Sequence, residues 1–514
     1  MHEAQATGKG KAVSQGSPQY LSMLPIWKKC RAVLEGEQAV KDHDQWLDTV
    51  TFENLLIPFS PTMTQKQYHF YKAEAELPGL ASQYARILNA GLLRKAPSIS
   101  FLSDKVTDEM KDWVTNDFCS NKDSIHTYLS MVVEEELQTS AGWTYVDLPN
   151  AVEGYEEEYF PYPVFHRAEN VINYYLGKHP KTCKNVLLRF VTRYFVDVLE
   201  TNQWHPDRVE EVRDHYLDEE GYLVVDVYRG KRASSTLKIS QGSIKNEFNE
   251  ELTESFDLKE TYRPLKHGKR FDFIPAFPNN GWYSYRDPTL LPIVLREIHL
   301  YNKMSRRNHL MYGAATFTPY ITGPMDEDAF SQIVNSGLGA WLHLPSSDNA
   351  LKVLETPTSA LSSMEESIRS TVEDLHRMGI RILSPEGGES GIALEIRNAS
   401  QTVQLSSINT NISKTMSKII TLMLNWKYDK LQLKESEVQF QMSTDFNPSP
   451  IGQEWLRLIT HWYESRHISR STFIRILQQN DILPADHNDE LELQEIQKSP
   501  LAGIDSNNVV LEDL

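Results

Sequence analysis

Cysteine is scarce in this chain. Cys30, Cys119 and Cys183 stand far apart and form no CxxC pair. A disulfide framework and a structural zinc site are therefore not expected, and buried, reduced thiols are. Basic charge is also short. The 514 residues hold 52 Lys and Arg against 70 Asp and Glu, a formal net charge of −18. That balance argues against gripping nucleic acid through a broad basic surface, but it suits a wall past which DNA slides without being held. No apolar run approaches the ~20 residues of a membrane span, so no membrane partner is expected. Residues 1–19 are polar and lack an apolar signal core; they read as a disordered tail. The sequence has no GxSxG elbow, no HExxH and no GxxxxGK[ST]. His461 and His467 are six apart and do not share a helical face. No catalytic, cofactor-binding or metal-ligating residue is assigned, and an enzyme is not expected.

What the chain does have is helical periodicity. Leu361, Met364, Ile368, Val372, Leu375 and Met378 recur at steps of three or four, the spacing of one helix face. Helices are predicted from Pro288 to Gly313, from Thr358 to Gly379 and from Asn398 to Tyr428. The last carries Val403, Ile408, Ile412, Met416, Ile419, Ile420, Met423 and Leu424 on one side. A turn-rich segment separates the first two. A glycine-rich loop containing Glu386, Gly387, Gly388, Glu389 and Ser390 separates the last two. It lacks a following lysine, and its two carboxylates would repel a phosphate, so a mobile loop is expected there.

The chain is too long for one ordinary core, so roughly two to four subdomains are expected. Helices are predicted over 20–41, 64–76, 80–93 and 120–136. Strands are predicted over 143–147, 186–198, 208–216, 222–228, 271–275 and 438–442, with a hairpin turn at Asp218-Glu219-Glu220-Gly221. Two short helices close the pattern at 453–465 and 471–479. The acidic run Glu153, Glu156, Glu157 and Glu158 reads as a solvated loop. Glu373 and Asp374, near His376 and Arg377, read as members of intrahelical pairs. Trp341 and Trp426 read as packing anchors. The fold class is α+β, mainly helical.

The order of segments resembles the portal proteins of tailed bacteriophages. The segments that carry the likeness include Leu56-Ile57-Pro58 with Tyr68, Tyr71 and Ala73; Arg94-Lys95-Ala96-Pro97; and the stretch from Ala141 to Pro149. The sharpest is Ala168-Glu169-Asn170-Val171-Ile172-Asn173-Tyr174, and Phe273-Ile274-Pro275, Asn308-His309, Ile321-Thr322-Gly323 and Asp445-Phe446 continue the series. The closest likeness is to a portal-like family long filed as a domain of unknown function.

This resemblance implies a ring oligomer, typically a dodecamer, with wing, stem, clip and crown. The wing is 20–287, continued at 398–446. The stem helices are 288–313 and 358–378, the clip 314–357, the tunnel-loop region 379–397, the crown 447–496 and an acidic tail 497–514. Stem residues are Lys303, Arg306, Arg307 and Glu373. The three cations are expected to pair with a neighbouring subunit rather than steer phosphate. Clip residues Asp326, Asp328 and Trp341 would meet the partners. The partners implied are further copies of the chain, double-stranded DNA without sequence specificity, the terminase large subunit, a head-tail adaptor, and the major capsid and scaffold proteins. The location implied is the virion's portal vertex, after assembly in the host cytoplasm. Another ring-forming virion component, and a nucleic-acid-processing enzyme, are the alternative readings.

Overall fold

A computed structural model of the protein describes residues 13–44, 54–119, 123–148, 160–198, 207–230, 256–315, 318–322, 326, 331, 342–344, 350–354, 358–379, 391–443, 453–479 and 483. The chain is α+β and divides into two compact units, Met1–Phe446 and Asn447–Leu514.

The first unit opens with helices α1 (Pro18–Glu35), α2 (Glu37–His43), α3 (Gln65–Glu74) and α4 (Leu80–Leu92). Ser17 caps α1 and Thr64 makes a capping box with Gln67 on α3, so each start is fixed by a side-chain oxygen on free N–H groups. Strand β1 (Ser98–Phe101), α5 (Asp108–Asn116), α6 (Ile125–Gln138), β2 (Trp143–Asp147) and β3 (Tyr162–His166) follow. Then come β4 (Val171–Lys178), β5 (Asn185–Val198), β6 (Asp207–Leu217), β7 (Leu223–Gly230) and β8 (Phe256–Tyr262), an antiparallel meander in sequential order. At the β6–β7 turn the Gly221 N–H donates to the Asp218 carbonyl at 2.8 Å, and Gly221 has φ +77°, which favours glycine. A two-residue pair, β9 (Leu265–Lys266) and β10 (Lys269–Arg270), precedes β11 (Ala276–Pro278), which joins β2 and β3 in a three-stranded sheet.

Next is α7 (Leu291–Ala315), followed by a small sheet of β12 (Thr318–Thr322), β13 (Leu342–Leu344) and β14 (Ala350–Leu354). Then come α8 (Thr358–Gly379), the 37-residue α9 (Gly391–Lys427) and β15 (Val438–Gln441), which pairs with β1. The second unit contains α10 (Gln453–Glu464) and α11 (Arg470–Gln479), where Tyr463 stacks on Phe473 at 4.6 Å between ring centroids.

Both faces of the five-stranded sheet are used. Phe190, Leu223 and Val225 join the main core, whereas Val191, Val212, Tyr228 and Phe256 pack with Tyr20 and Trp27 of α1. The main core is closed by α9, whose Ile412, Met416, Ile419, Ile420, Met423 and Leu424 are almost fully buried. This is the apolar side expected from sequence; each such side chain contributes about 1.5–3 kcal/mol of burial. Helix α9 also completes β15. The Oγ atoms of Ser413 and Ser417 accept from the N–H groups of Met442 and Phe440, each at 3.0 Å. Four residues of helix advance ~6 Å and two residues of strand ~6.8 Å, so serines four apart match alternate strand N–H groups.

Several expectations need correction. The strand expected at 271–275 lies at Ala276–Pro278 instead. Phe271 and Ile274 turn into the core at a spacing of three, and the Pro275 carbonyl accepts from Val146 N–H at 2.9 Å, setting the ladder one step later. The helix expected from Ser120 spans Ile125–Gln138, and α5 was not foreseen. The long helix begins at Gly391, seven residues before Asn398. The thiols are not uniformly buried: Cys30 is, but Cys183 is exposed. The acidic run at 153–158 lies outside the described residues.

Candidate functional site

The stretch from α7 to α9 holds most of the residues singled out by sequence. Helix α7 is anchored at its first half by Ile293, Val294, Leu300 and Tyr301, all buried. Two buried polar side chains on the same half fix the N-terminal region. The carboxylate of Glu297 accepts from the N–H groups of Leu80 at 2.8 Å and Ala81 at 2.6 Å. Helix α4 has no side-chain cap of its own at Gly79, so Glu297 satisfies its free donors and faces the positive end of its dipole. Burial, opposed by these hydrogen bonds, raises the Glu297 pKa. Asn302 accepts from Ile57 N–H at 2.8 Å and donates to the Leu55 carbonyl at 2.7 Å.

Helix α8 lies along α7 as the second arm of a hairpin. Of the predicted face, Ile368 and Leu375 are buried, Leu361, Met364 and Val372 are half-buried and Met378 is exposed; Thr371, not on that face, is buried as well, and the helix bounds are those read from sequence. Lys303 Nζ donates to Ser367 Oγ at 2.9 Å and Thr371 Oγ1 at 2.8 Å. Arg296 pairs with Asp374 across the two helices, and Arg377 Nη1 lies 4.0 Å from the same carboxylate. The intrahelical pairing expected for Asp374 is therefore present, whereas the His376 ring bonds the Tyr84 hydroxyl at 3.0 Å.

The hairpin is interrupted between its arms by the small sheet. Its order is β13-β12-β14, with β12 parallel to β13 and antiparallel to β14. Asp326 is exposed in this segment. Asp328 and Trp341 lie outside the described residues, as do Glu386, Gly387, Gly388, Glu389 and Ser390. Trp426 is buried against Phe271, with ring centroids 4.5 Å apart, as the packing reading expected.

The cations of α7 all have partners within the chain. Lys303 is taken up by α8 of the same chain. Arg306 lies beside the Tyr71 hydroxyl, whose pKa burial pushes up to about 12 against the pull of that guanidinium. Arg307 donates to the Asn308 carboxamide oxygen at 2.8 Å. Each has a partner within one copy, so pairing with a neighbouring subunit is not required to satisfy them. Glu373 is exposed on α8.

Sequence reasoning missed a surface groove of about 390 Å³ between the start of α7 and the end of α8. Pro292, Leu295 and Met378 supply its apolar lining. Arg296, His299, Asp374 and Arg377 supply its polar rim. Met378 was assigned to the buried face but is 38 % exposed here, and Leu295 is 42 % exposed. The pairing of residues 78 apart that builds it carries no local mark.

Among the described residues no group of three or more His, Cys, Asp or Glu is placed to hold a metal ion, and no helix is long and apolar enough to cross a membrane. Residues 289–427, from two residues before α7 to the end of α9, match the family described as a domain of unknown function, DUF4055. No curated protein matches the chain.

Proposed function

We propose that this chain is a portal protein: the subunit of a ring at one vertex of a tailed-phage capsid, through which double-stranded DNA is packaged by a terminase and later ejected. One observation carries the reading. A two-helix hairpin bears a small three-stranded sheet between its arms and is followed by a 37-residue helix packed into the core. A stem interrupted by a clip and backed by a long wing helix has this order. The family match covers the same stretch and no more.

In this reading α7 and α8 are the stem, 316–357 the clip, and 380–390, the part of the expected 379–397 that precedes α9, the loop region facing the channel. Residues 20–287 and 391–446 make the wing, and 447–496 the crown. A net charge of −18 suits a conduit for DNA, because a negative wall leaves phosphate unheld. The ATP-driven work belongs to the terminase partner.

The test is the particle formed by the purified chain, read by native mass determination with negative-stain imaging. A closed ring near twelve copies with a central hole is expected. A monomer that hydrolyses nucleic acid on addition of a divalent metal would overturn the reading in favour of an enzyme.

A further inference from the structure

His179 opens the turn between β4 and β5 and is buried, at 3 % exposure. Its ring is held from two sides. The N–H groups of Lys181 and Thr182 both donate to Nδ1, each at 3.1 Å. Nδ1 therefore carries no proton, and Nε2 is the nitrogen that donates to the Gly221 carbonyl at 3.1 Å. One ring thus ties the β4–β5 turn to the β6–β7 turn. A Cβ on Gly221 would lie 2.6 Å from that ring, so glycine is needed there for the close approach as well as for its φ. Two backbone bonds close the turn itself: His179 N–H to the Lys184 carbonyl at 2.9 Å, and Cys183 N–H to the His179 carbonyl at 3.0 Å.

The arrangement serves the neutral ring alone. An imidazolium carries a proton on both nitrogens. Its Nδ1–H would face two N–H donors, so both bonds are lost and three donors are left pointing at one another. The Gly221 bond cannot be kept without holding the ring in that position.

We propose that His179 is an acid-released latch: its neutral ring joins the two turns, and protonation frees residues 179–184 from the end of the sheet. This device is independent of the ring reading. The charged groups on the joined elements pull in both directions. Lys178, Lys181 and Lys184 are exposed on the β4–β5 side and oppose an imidazolium. Lys181 lies over the Tyr222 ring at 4.1 Å, and Arg270 over the same ring at 5.6 Å. Asp218, Glu219 and Glu220 on the β6–β7 side favour one. Asp218 is already engaged by the Tyr222 N–H at 2.8 Å, and Glu220 lies 3.6 Å from Arg270. The hydrogen-bond pattern at Nδ1 therefore decides the outcome. The link is complete while the ring is neutral and is lost as pH falls. What it releases is a surface turn bearing three lysines and the exposed Cys183 thiol.

Hydrogen exchange read by mass spectrometry on the full chain tests this, at about pH 7.5 and about pH 5, either side of the ordinary histidine value of ~6.5. Rates are corrected for the chemical effect of pH. Protection of the Lys181 and Thr182 amides is expected to fall about tenfold at the lower pH, with α9 unchanged. His179→Asn is the control. Its carboxamide oxygen can accept from the N–H groups two and three residues on, as the imidazole does, and it does not titrate. In this variant the protection of both amides is expected to be the same at the two pH values. Equal protection in the wild-type chain at both values would overturn the latch. So would an acid-dependent loss in His179→Asn as large as that of the wild type, which would assign the effect to another group. A loss shared equally by the buried amides of α9 would be general unfolding and would likewise overturn it.

Discussion

Ser417 holds two roles in one hydroxyl. Its hydroxyl donates to the Ser413 carbonyl at 3.0 Å and accepts from the Phe440 N–H at 3.0 Å. Ser417→Ala leaves a backbone donor of β15 without its partner, at a cost of about 1–3 kcal/mol. Urea unfolding is expected to show a lower midpoint with an unchanged slope. A midpoint equal to that of the wild type would mean that β15 is held by β1 alone.

His166 and His215 sit under the sheets. Burial lowers their pKa values to about 4 and about 3, so both are neutral in the fold. An unfolded histidine titrates near ~6.5, and the unfolded state then binds more protons below that value. Their contribution is complete above that pH and is lost as pH falls toward 4 and 3. Glu136 acts in the opposite sense. Burial raises its pKa to about 8 from 4.5, so its contribution is complete below pH 4.5 and is lost as pH rises through 8. The melting temperature is expected to decline on both sides. His166→Phe, which removes one titrating ring from a site lined by Phe190 and Tyr194, is expected to flatten the acid limb only. An unchanged acid limb would exclude His166 as a source.

At the scale of elements, the hairpin does not depend on the sheet between its arms. Lys303 to Thr371 and Arg296 to Asp374 tie α7 to α8 along their length. Replacing 316–357 with a short Gly-Ser linker is expected to leave ring formation largely intact and to abolish terminase binding, measured by co-sedimentation. Normal terminase binding by the deleted ring would refute the clip assignment.

Elements were legible in the sequence where one face is apolar and the ends are punctuated. Helix α8 was read to the residue because Ile368 and Leu375 repeat on one side and Gly379 stops it. Helix α9 was read on its buried side but not at its start. There Ile392, Leu394 and Ile396 alternate with a period of two, which hides a helix. Helix α5 buries only Trp113 and Val114, too few to make a pattern. The groove was illegible for a different reason: its cations come from two helices whose proximity only the fold decides. The same is true of Lys303, whose partners lie 64 and 68 residues away.

At the scale of the whole molecule, the channel reading makes a charge prediction. In a ring of about twelve, Glu386 and Glu389 would repeat around the bore. Changing both to Lys converts repulsion of phosphate into attraction at every copy. Packaging or ejection is expected to slow markedly, with a stronger effect at low salt, while particle mass is unchanged. Packaging at the wild-type rate would remove this loop from the channel wall.

The buried side chains Glu297 and Asn302 also set a timetable. Leu80 waits for a partner 217 residues further along, and Leu55 for one 247 residues along. At synthesis rates of roughly 5–20 residues per second, that interval is about 10–50 s. For that time the start of α4 lacks the carboxylate that satisfies its N–H groups, whereas α1 and α3 already carry their own caps. The opening segment therefore cannot be completed from its own residues; it gains these partners only once α7 has been synthesised.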